Sequence, residues 1–401
     1  MPKALEGMRV VEVADLVAGP YCTRLLGDFG ADVTKIELPG AGDSARRRGP
    51  FYRDIPHPDR GALFMYVNTN KHSVTLDIAS PKGREIFRRL VADADILVTD
   101  RSPKEANALG LTYKHLKKVN PRLVAVAITP FGLTGPRKDY KAYPLNVYHA
   151  GGDGYLLQSG EAYLGRPPIK AAGMAGEYQV GWNAATAALF AVFARNFSGV
   201  GQQVDVSKQE ALMGLNRMIL GRYPNEGVVE QRASRHYDFL GIFPCRDGHM
   251  IIMAFDDHHW RTLAELVGRA DWKTDPEYAS RDGRTKHRKD INAYMTEWLK
   301  DKSGPELYHA WQKAHCPVGW FASPKDVAHS EQLKERNFFT TLDHPGIGPV
   351  VMPTVPYQFS GTPAAYERSA PGLGQDNEMV FRQRLGIPRE EIVQLREAGI
   401  I

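Results

Sequence analysis

The residues best suited to do chemistry lie in Ala171-Ala172-Gly173-Met174-Ala175-Gly176-Glu177, where a run of small residues ends in a carboxylate and leads into a long apolar segment. A carboxylate just inside a helix start faces backbone N–H groups with no intrahelical acceptor and the positive end of the helix dipole. The same groups can hold a developing oxyanion. The plain alternative is a solvated glutamate that only stabilises its helix, and the local pattern admits both. Cationic candidates lie elsewhere: Asn70-Lys71-His72, Arg46-Arg47-Arg48, Arg137-Lys138 and Lys141. Lysine and arginine in such groups suit phosphate oxygens, and equally suit a solvated loop.

The elements that must position these residues are legible from hydrophobic pattern. Arg9-Val10-Val11-Glu12-Val13 reads as a buried strand, Tyr21 to Phe29 as a helix, and Val33 to Leu38 as a second strand. The alternation continues with a helix from Pro81 to Ala92, a strand at Ile96-Leu97-Val98, a helix near Ser102 to Leu109 and a strand from Leu123 to Ile128. Strands alternating with helices imply right-handed crossovers and a doubly wound, mostly parallel sheet. A nucleotide-type ligand then belongs at the carboxyl ends of the strands. The first strand, however, runs into Ala14-Asp15-Leu16-Val17-Ala18-Gly19-Pro20, which lacks the glycine fingerprint of a dinucleotide site. After Glu177 a helix carries Trp182, Ala185, Leu189, Phe190 and Phe193, which read as a broad core face. Val204-Asp205-Val206 reads as the next strand, and the composition turns polar around Asn225-Glu226-Gly227, as in a linker.

A second unit is expected from near Tyr237, with two strands across an Arg246-Asp247-Gly248 turn and amphipathic helices from Trp260 to Val267 and Ile291 to Leu299. Beyond Pro317 the chain is rich in proline and glycine, ending in a helix from Pro388 to Ala398. The expected division is 1–205 for a large domain, 226–322 for a small one and 323–401 for a segment returning to the large one. The length of 401 residues suits two domains, and 43% hydrophobic with 24% charged residues is ordinary for a globular protein. A net charge of +5 without a long basic run argues against nucleic acid and fits an anionic small ligand. Cys22, Cys245 and Cys316 show neither disulfide nor metal-ligand spacing, so no metal site is expected. No signal-peptide core is evident at Met1 to Gly7, and no run approaches the roughly 18 apolar residues of a membrane span. A cytoplasmic enzyme without membrane contact is the expectation.

Ordered matches run nearly end to end: Leu5 to Val13, Ala18-Gly19-Pro20, Gly30 to Glu37, Asn70 to Asp77, Phe131 to Pro136 and Pro371 to Asp376. On these the chain resembles the class III CoA-transferases, the formyl-CoA transferase and carnitine CoA-transferase family. The resemblance implies a Rossmann-like large domain with a smaller α+β domain, two chains interlocked as a dimer, and a large domain completed by the carboxyl-terminal tail. It implies coenzyme A thioesters as substrates, with no permanently bound cofactor. It places Glu177 where the family carries an aspartate nucleophile, Lys141 and Tyr143 where the family meets CoA, and Asn70, Lys71 and His72 in the family's Asn-Lys-basic stretch. Arg101 and Arg137 join them as CoA-binding candidates.

The chain departs from the pattern at Val17, where glutamine is usual, at Asp100-Arg101, which replace an Asn-Phe pair, and at Ala108 and Pro144. The small unit also lacks the multi-glycine loop of the formyl-CoA branch. The implied reaction moves CoA from a donor such as succinyl-CoA to another carboxylic acid. The resemblance extends to the subunits of benzylsuccinate CoA-transferase, which would make the acceptor an aromatic succinate. A second reading is a non-catalytic partner in a heterodimer whose other, homologous chain supplies the aspartate. A third, a 2-methylacyl-CoA racemase, would need a base where this chain has Tyr143, a poor base at neutral pH, with His149 nearby at the wrong spacing. Tyr148, Tyr155, Tyr178 and Trp182 are candidates for an aromatic acyl pocket.

Overall fold

The computed structural model describes residues 3–157, 165–214, 217–231, 239–254 and 256–401. Its packing divides the chain into a larger unit, Met1–Gln158, Arg166–Glu230 and Asn337–Ile401, and a smaller one, Ser159–Gly165 and Gln231–Arg336. The larger unit is built on six strands: β1 (Arg9–Val13), β2 (Asp32–Glu37), β3 (Lys71–Thr75), β4 (Ile96–Thr99), β5 (Val124–Thr129) and β6 (Gln203–Ser207). They lie in the order β3-β2-β1-β4-β5-β6 with every neighbouring pair parallel. Because β2 and β3 step one way from β1 while β4 to β6 step the other, the order reverses between β1 and β4. Such a reversal is where open α/β sheets place a ligand crevice, here beyond the carboxyl ends of β1 and β4.

Both faces of the sheet are covered, so β4 and β5 are buried at every residue and read as unbroken apolar runs. On one face Val10, Val33, Ile96 and Val126 meet Leu25 and Leu26 of the helix Ala18–Asp28 and Val180, Ala184 and Ala188 of the helix Ala175–Ser198. On the other, Val11, Ile36, Val74 and Leu97 meet Ile86, Phe87 and Val91 of the helix Pro81–Ala92. Val380, Phe381, Ile392 and Leu395 of the tail join that second cluster. The smaller unit holds an antiparallel sheet of β7 (Gly241–Cys245), β8 (Gly248–Ile252) and β9 (Val318–Trp320) around Trp260, Trp272, Met295 and Trp311. Its β7–β8 turn is fastened by Asp247, which accepts from the Gly304 N–H at 2.7 Å and the Ser303 hydroxyl at 2.8 Å.

Several expectations change in the fold. Tyr237 lies outside the described residues. The polar stretch at Asn225-Glu226 is the end of a helix, Arg217–Glu226, rather than a linker. The Pro- and Gly-rich return contains a hairpin, β10 (Phe339–His344) with β11 (Gly348–Pro353), that composition hid. The largest correction concerns the helix Ala175–Ser198. Its core face is made of Val180, Gly181, Ala184, Ala188 and Ala191, whereas Trp182 is 49%, Phe190 71% and Phe193 64% exposed. Small residues win the inner face because this helix runs close against Ala18–Asp28: a Cβ on Gly181 would stand 2.7 Å from the Ala18 carbonyl oxygen.

Candidate active site at the carboxyl ends of the strands

Glu177 is the third residue of its helix, and its backbone N–H is already donated to the Met174 carbonyl at 2.9 Å. The side chain is not solvated: Glu177 is 5% exposed, and its Oε2 accepts from Lys208 Nζ at 2.7 Å. Glycine precedes it for steric reasons, since a Cβ on Gly176 would meet Leu212 at 3.0 Å and the Tyr148 ring at 3.1 Å. Lys208 is the first residue of the short helix Lys208–Met213, directly after β6, with Ser207 accepting from the Glu210 N–H as its cap. A lysine there sits at the positive end of the helix dipole, which is locally unfavourable. The ion pair with Glu177 offsets that misfit. Sequence reasoning did not single out Lys208, although a cation at a helix start was a readable anomaly.

The crevice between β1 and β4 holds a second charged group. The Asp15 N–H donates to Asp100 Oδ2 at 2.9 Å, and Arg101 donates to Asp15 Oδ2 at 3.3 Å. Burial pushes the Asp100 carboxyl up to about 6, with Arg101 opposing and Asp15 reinforcing the rise. Lys208 is near enough to pull Asp100 down in turn, which ties the Glu177 pair to this cluster. Asp100 Oδ1 is buried without a hydrogen-bond donor among the described residues. The loop between Asp15 and the first helix is strained at Leu16, whose φ is +70° and whose N–H donates to Asp43 at 2.9 Å.

Lys141 is exposed just before the helix Pro144–Ala150, and with Arg101 it acts on Glu105, whose carboxyl is held low chiefly by the Ser102 hydroxyl. Lys141 and Arg101 therefore share the carboxyl end of β4. Tyr143 is the cap of the Pro144–Ala150 helix and is 73% exposed, and Arg137 is exposed in the preceding loop. Beside them a cavity of about 450 Å³ is lined by Thr99, Ala125, Ala127, Gln203, Lys104 and Lys138. That is room for a nucleotide-sized group with two ammonium groups at its wall.

The structure does not bring Asn70, Lys71 and His72 to this site. Asn70 donates to Asp28 at 2.8 Å and to the Ala365 carbonyl at 2.7 Å, and accepts from the Glu367 and Arg368 N–H groups. Lys71 is wholly buried and spends its ammonium on Glu12 at 2.9 Å, the Pro20 carbonyl at 2.7 Å and Asn68 at 2.9 Å. His72 lies among Arg368, Asp376 and Asp32. Asn70 just precedes β3 and Lys71 and His72 open it; together they tie the returning tail to the sheet, and Asn70 and Lys71 make their polar contacts within the chain. Arg46 is likewise taken by Glu37 at 2.7 Å and Asp59 at 2.7 Å. Of the four candidate aromatics, Tyr148 lies against Gly176 at the Glu177 helix start, while Tyr178 packs edge-on to Tyr21 at 4.9 Å, Trp182 faces Tyr357 at 6.5 Å, and Tyr155 is exposed.

A family model described as CoA-transferase family III matches residues 5–377. The chain belongs to CoA-transferase family III. A formyl-CoA:oxalate CoA-transferase of Rhodopseudomonas palustris is 28% identical over 429 residues, which span 100% of this chain and 98% of that protein. A succinyl-CoA–D-citramalate CoA-transferase of Chloroflexus aurantiacus is also 28% identical, again over 100% and 98% of the two chains. The solved structure of a CAIB/BAIF family protein from Brucella suis superposes with a TM-score of 0.85 at 27% identity, covering 96% of this chain and 100% of that one. A hypothetical protein from Mycobacterium tuberculosis gives 0.80 at 25% identity, over 94% and 99%.

In a family III transferase CoA moves between carboxylic acids, so the site needs a carboxylate, oxyanion donors and a phosphate cradle. The Glu177 helix start and the lysine-flanked cavity have that character. In the smaller unit, Asp256, His258 and His259 bring possible metal-ligand atoms within 4.8 Å of one another at the start of the helix Asp257–Leu266, largely in solvent. No helix of the described residues is long and apolar enough to cross a membrane.

Proposed function

We propose that Glu177 is the carboxylate nucleophile of this transferase, taking CoA from a donor such as succinyl-CoA and passing it to a second carboxylic acid. The observation that carries the reading is a carboxylate 5% exposed, at a helix start, ion-paired to Lys208 and electrostatically joined to the switch-point crevice. A Glu177 oxygen attacks the thioester carbonyl, the C–S bond breaks, and a mixed anhydride forms as CoA thiolate leaves. The thiolate then attacks the Glu177 carbonyl, releasing the donor acid and leaving CoA on Glu177 as a thioester. The incoming acid repeats the sequence in reverse, and the Glu177 carboxylate is regenerated. The first N–H groups of the helix, those of Ala175 and Gly176, have no intrahelical acceptor and can hold the oxyanion. Burial around Glu177 keeps water from both intermediates, which hydrolyse readily.

Lys141 and Arg101, with Arg137 and Tyr143 alongside, are the CoA-binding side chains of this reading, and the cavity walled by Lys104 and Lys138 takes part of the nucleotide. The acceptor remains one of a class of carboxylic acids. Citramalate, named for a relative, and an aromatic succinate such as benzylsuccinate are compared directly in the assay. A pair of chains is the functional unit of this reading, supported by Trp182, Phe190, Phe193 and Phe197 standing outward on one helix. One observation favours a second reading. Glutamate is one methylene longer than aspartate, and a displacement of about 1 Å can cost on the order of a hundredfold in rate. In that case the chain is the partner of a homologous subunit that supplies the nucleophile. Incubation with succinyl-CoA, trapping with hydroxylamine and peptide mass spectrometry decide the matter. A hydroxamate on Glu177 of the purified single chain supports catalysis here; activity only with a homologous partner, and no adduct, supports the second reading.

A further inference from the structure

We infer that Lys208 is a carboxylate-exchange cation, pairing with Glu177 in the free enzyme and with a substrate carboxylate once Glu177 is covalently occupied. The inference rests on the reading of Glu177 as nucleophile and assigns the residue that receives the second acid. In the free chain the Lys208 ammonium lies 2.7 Å from Glu177 Oε2, with 17% of its side chain exposed and Glu177 at 6%. Its charge also reaches Asp100, which accepts from the Asp15 N–H at 2.9 Å and feels Arg101 more strongly than Lys208. When Glu177 becomes an anhydride or a thioester, its carboxyl carbon is a neutral acyl carbon bonded to the acid's oxygen or to CoA sulfur, and the negative charge leaves with CoA thiolate or the departing acid. Lys208 is then a largely buried ammonium without its counter-ion, a state that is costly unless another anion takes the place.

The reaction supplies that anion at the required moment. The donor acid departs as a carboxylate when thiolate attacks the Glu177 carbonyl, and the acceptor must arrive as a carboxylate to attack the Glu177 thioester. Each forms or breaks one C–O bond at the Glu177 carbonyl carbon, within reach of the ammonium that had held the Glu177 oxygen. Lys208 thereby favours acid binding only in the covalent enzyme, since in the free enzyme Glu177 occupies it. Its position at the start of the helix Lys208–Met213, where a cation is locally unfavourable, has this use as its compensation.

The test uses the full chain, succinyl-CoA as donor and labelled succinate as acceptor, so that exchange of label into succinyl-CoA needs no further acid. It is run near pH 8, above the ordinary carboxylate range. Lys208→Met is expected to raise the KM for succinate roughly 10- to 100-fold, the loss of one charge-assisted bond. Because Lys208→Met also leaves Glu177 without its cation, single-turnover trapping of Glu177 as the hydroxamate is expected to slow, while the KM for succinyl-CoA should rise far less than that for succinate. Lys208→Arg should recover most of the succinate KM, and Lys208→Gln repeats the test if the methionine variant does not fold, with calorimetric CoA binding as the folding control. Hydroxamate on Glu177 with an unmoved succinate KM, or equal rises for succinate and succinyl-CoA, overturns this inference alone. No hydroxamate on Glu177 of the unaltered chain overturns the nucleophile reading and this inference with it.

Discussion

Glu12 and Glu177 are both carboxylates of the larger unit held by lysine, Glu12 at 2.6 Å from Lys35 and 2.9 Å from Lys71, and Glu177 at 2.7 Å from Lys208. Their surroundings differ. Glu12, Lys35 and Lys71 are each 0% exposed, and the network closes on itself through Thr23, Asp43 and the Ala14 and Pro20 carbonyls. Among the described residues Glu177 has one ion-pair partner, Lys208 keeps some exposure, and Asp100 nearby has an oxygen without a donor. The same ion-pair chemistry is thus wholly internal and shared among several partners in one region, and confined to one pair beside the crevice in the other, where the proposed nucleophile stands.

Titration separates the two regions as well. Burial alone would raise Glu12 and Asp43, yet Lys35, joined at Glu12 by Lys71, holds both below the ordinary carboxylate range, and Arg46 does the same for Glu37. Such groups add stability above their unfolded values, and that stability is lost as the pH falls through the folded ones. Lys71 is pushed down by burial to about 8, with Glu12 opposing and the charge of Lys35 adding to the fall. At the crevice the sign reverses: burial raises Asp15 and Asp100, so the folded state holds protons that the unfolded chain has released.

The comparison breaks most sharply at Glu177. Glu177→Gln keeps the shape but cannot attack, so the covalent adduct should vanish and succinate exchange fall by roughly 10⁴-fold or more, with CoA binding largely kept. Robust exchange from the glutamine variant would remove Glu177 from the chemistry. Lys71→Met does the opposite kind of damage. It leaves Glu12 buried beside a single cation and should lower unfolding free energy by about 3–5 kcal/mol in urea melts. A loss below about 1 kcal/mol would show that Lys35 alone suffices to hold the buried Glu12 charge.

Lys141→Ala should weaken CoA binding by roughly 1–3 kcal/mol in calorimetry. A smaller loss with 3′-dephospho-CoA would place the contact on the 3′-phosphate, and unchanged affinity for both ligands would place Lys141 outside the site. The smallest effect is expected at Asp100. Stability attributable to this group falls as pH rises from about 4 to about 6, because the native state binds the proton more tightly than the unfolded chain. Asp100→Asn should flatten that slope and stabilise the protein by about 1 kcal/mol at neutral pH, as read by denaturant titration across the window. A lower stability at neutral pH would mean that the Asp100 charge is needed by Arg101 and Lys208.

Strand and helix positions were legible because the apolar runs at Val10-Val11, Ile96 to Val98 and Val124 to Ile128 are short, continuous and separated by helical patterns. The start of the Glu177 helix was legible for a similar local reason, a run of small residues ahead of an acidic one. Local pattern also misled. Trp182, Phe190 and Phe193 form as good an apolar face as Val180, Ala184 and Ala188, and only the close approach to Ala18–Asp28 selects the small one. Asn70 and Lys71 carried the composition of a ligand site, yet Lys71 is buried in β3 against Glu12 and Pro20, and Asn70 before it is engaged by Asp28 and the tail.

By itself the sequence determined the order of strands and helices, the absence of dinucleotide glycines after β1, and a carboxylate at a helix start. These depend on residue period and on neighbours within one or two turns. Which charges are spent inside and which face the crevice was decided only in three dimensions. Glu12 meets Lys71 across 59 residues, and Glu177 meets Lys208 across 31. Pairing at that range is fixed by strand order and burial, because a charge taken out of water is held only where the fold brings its partner to it.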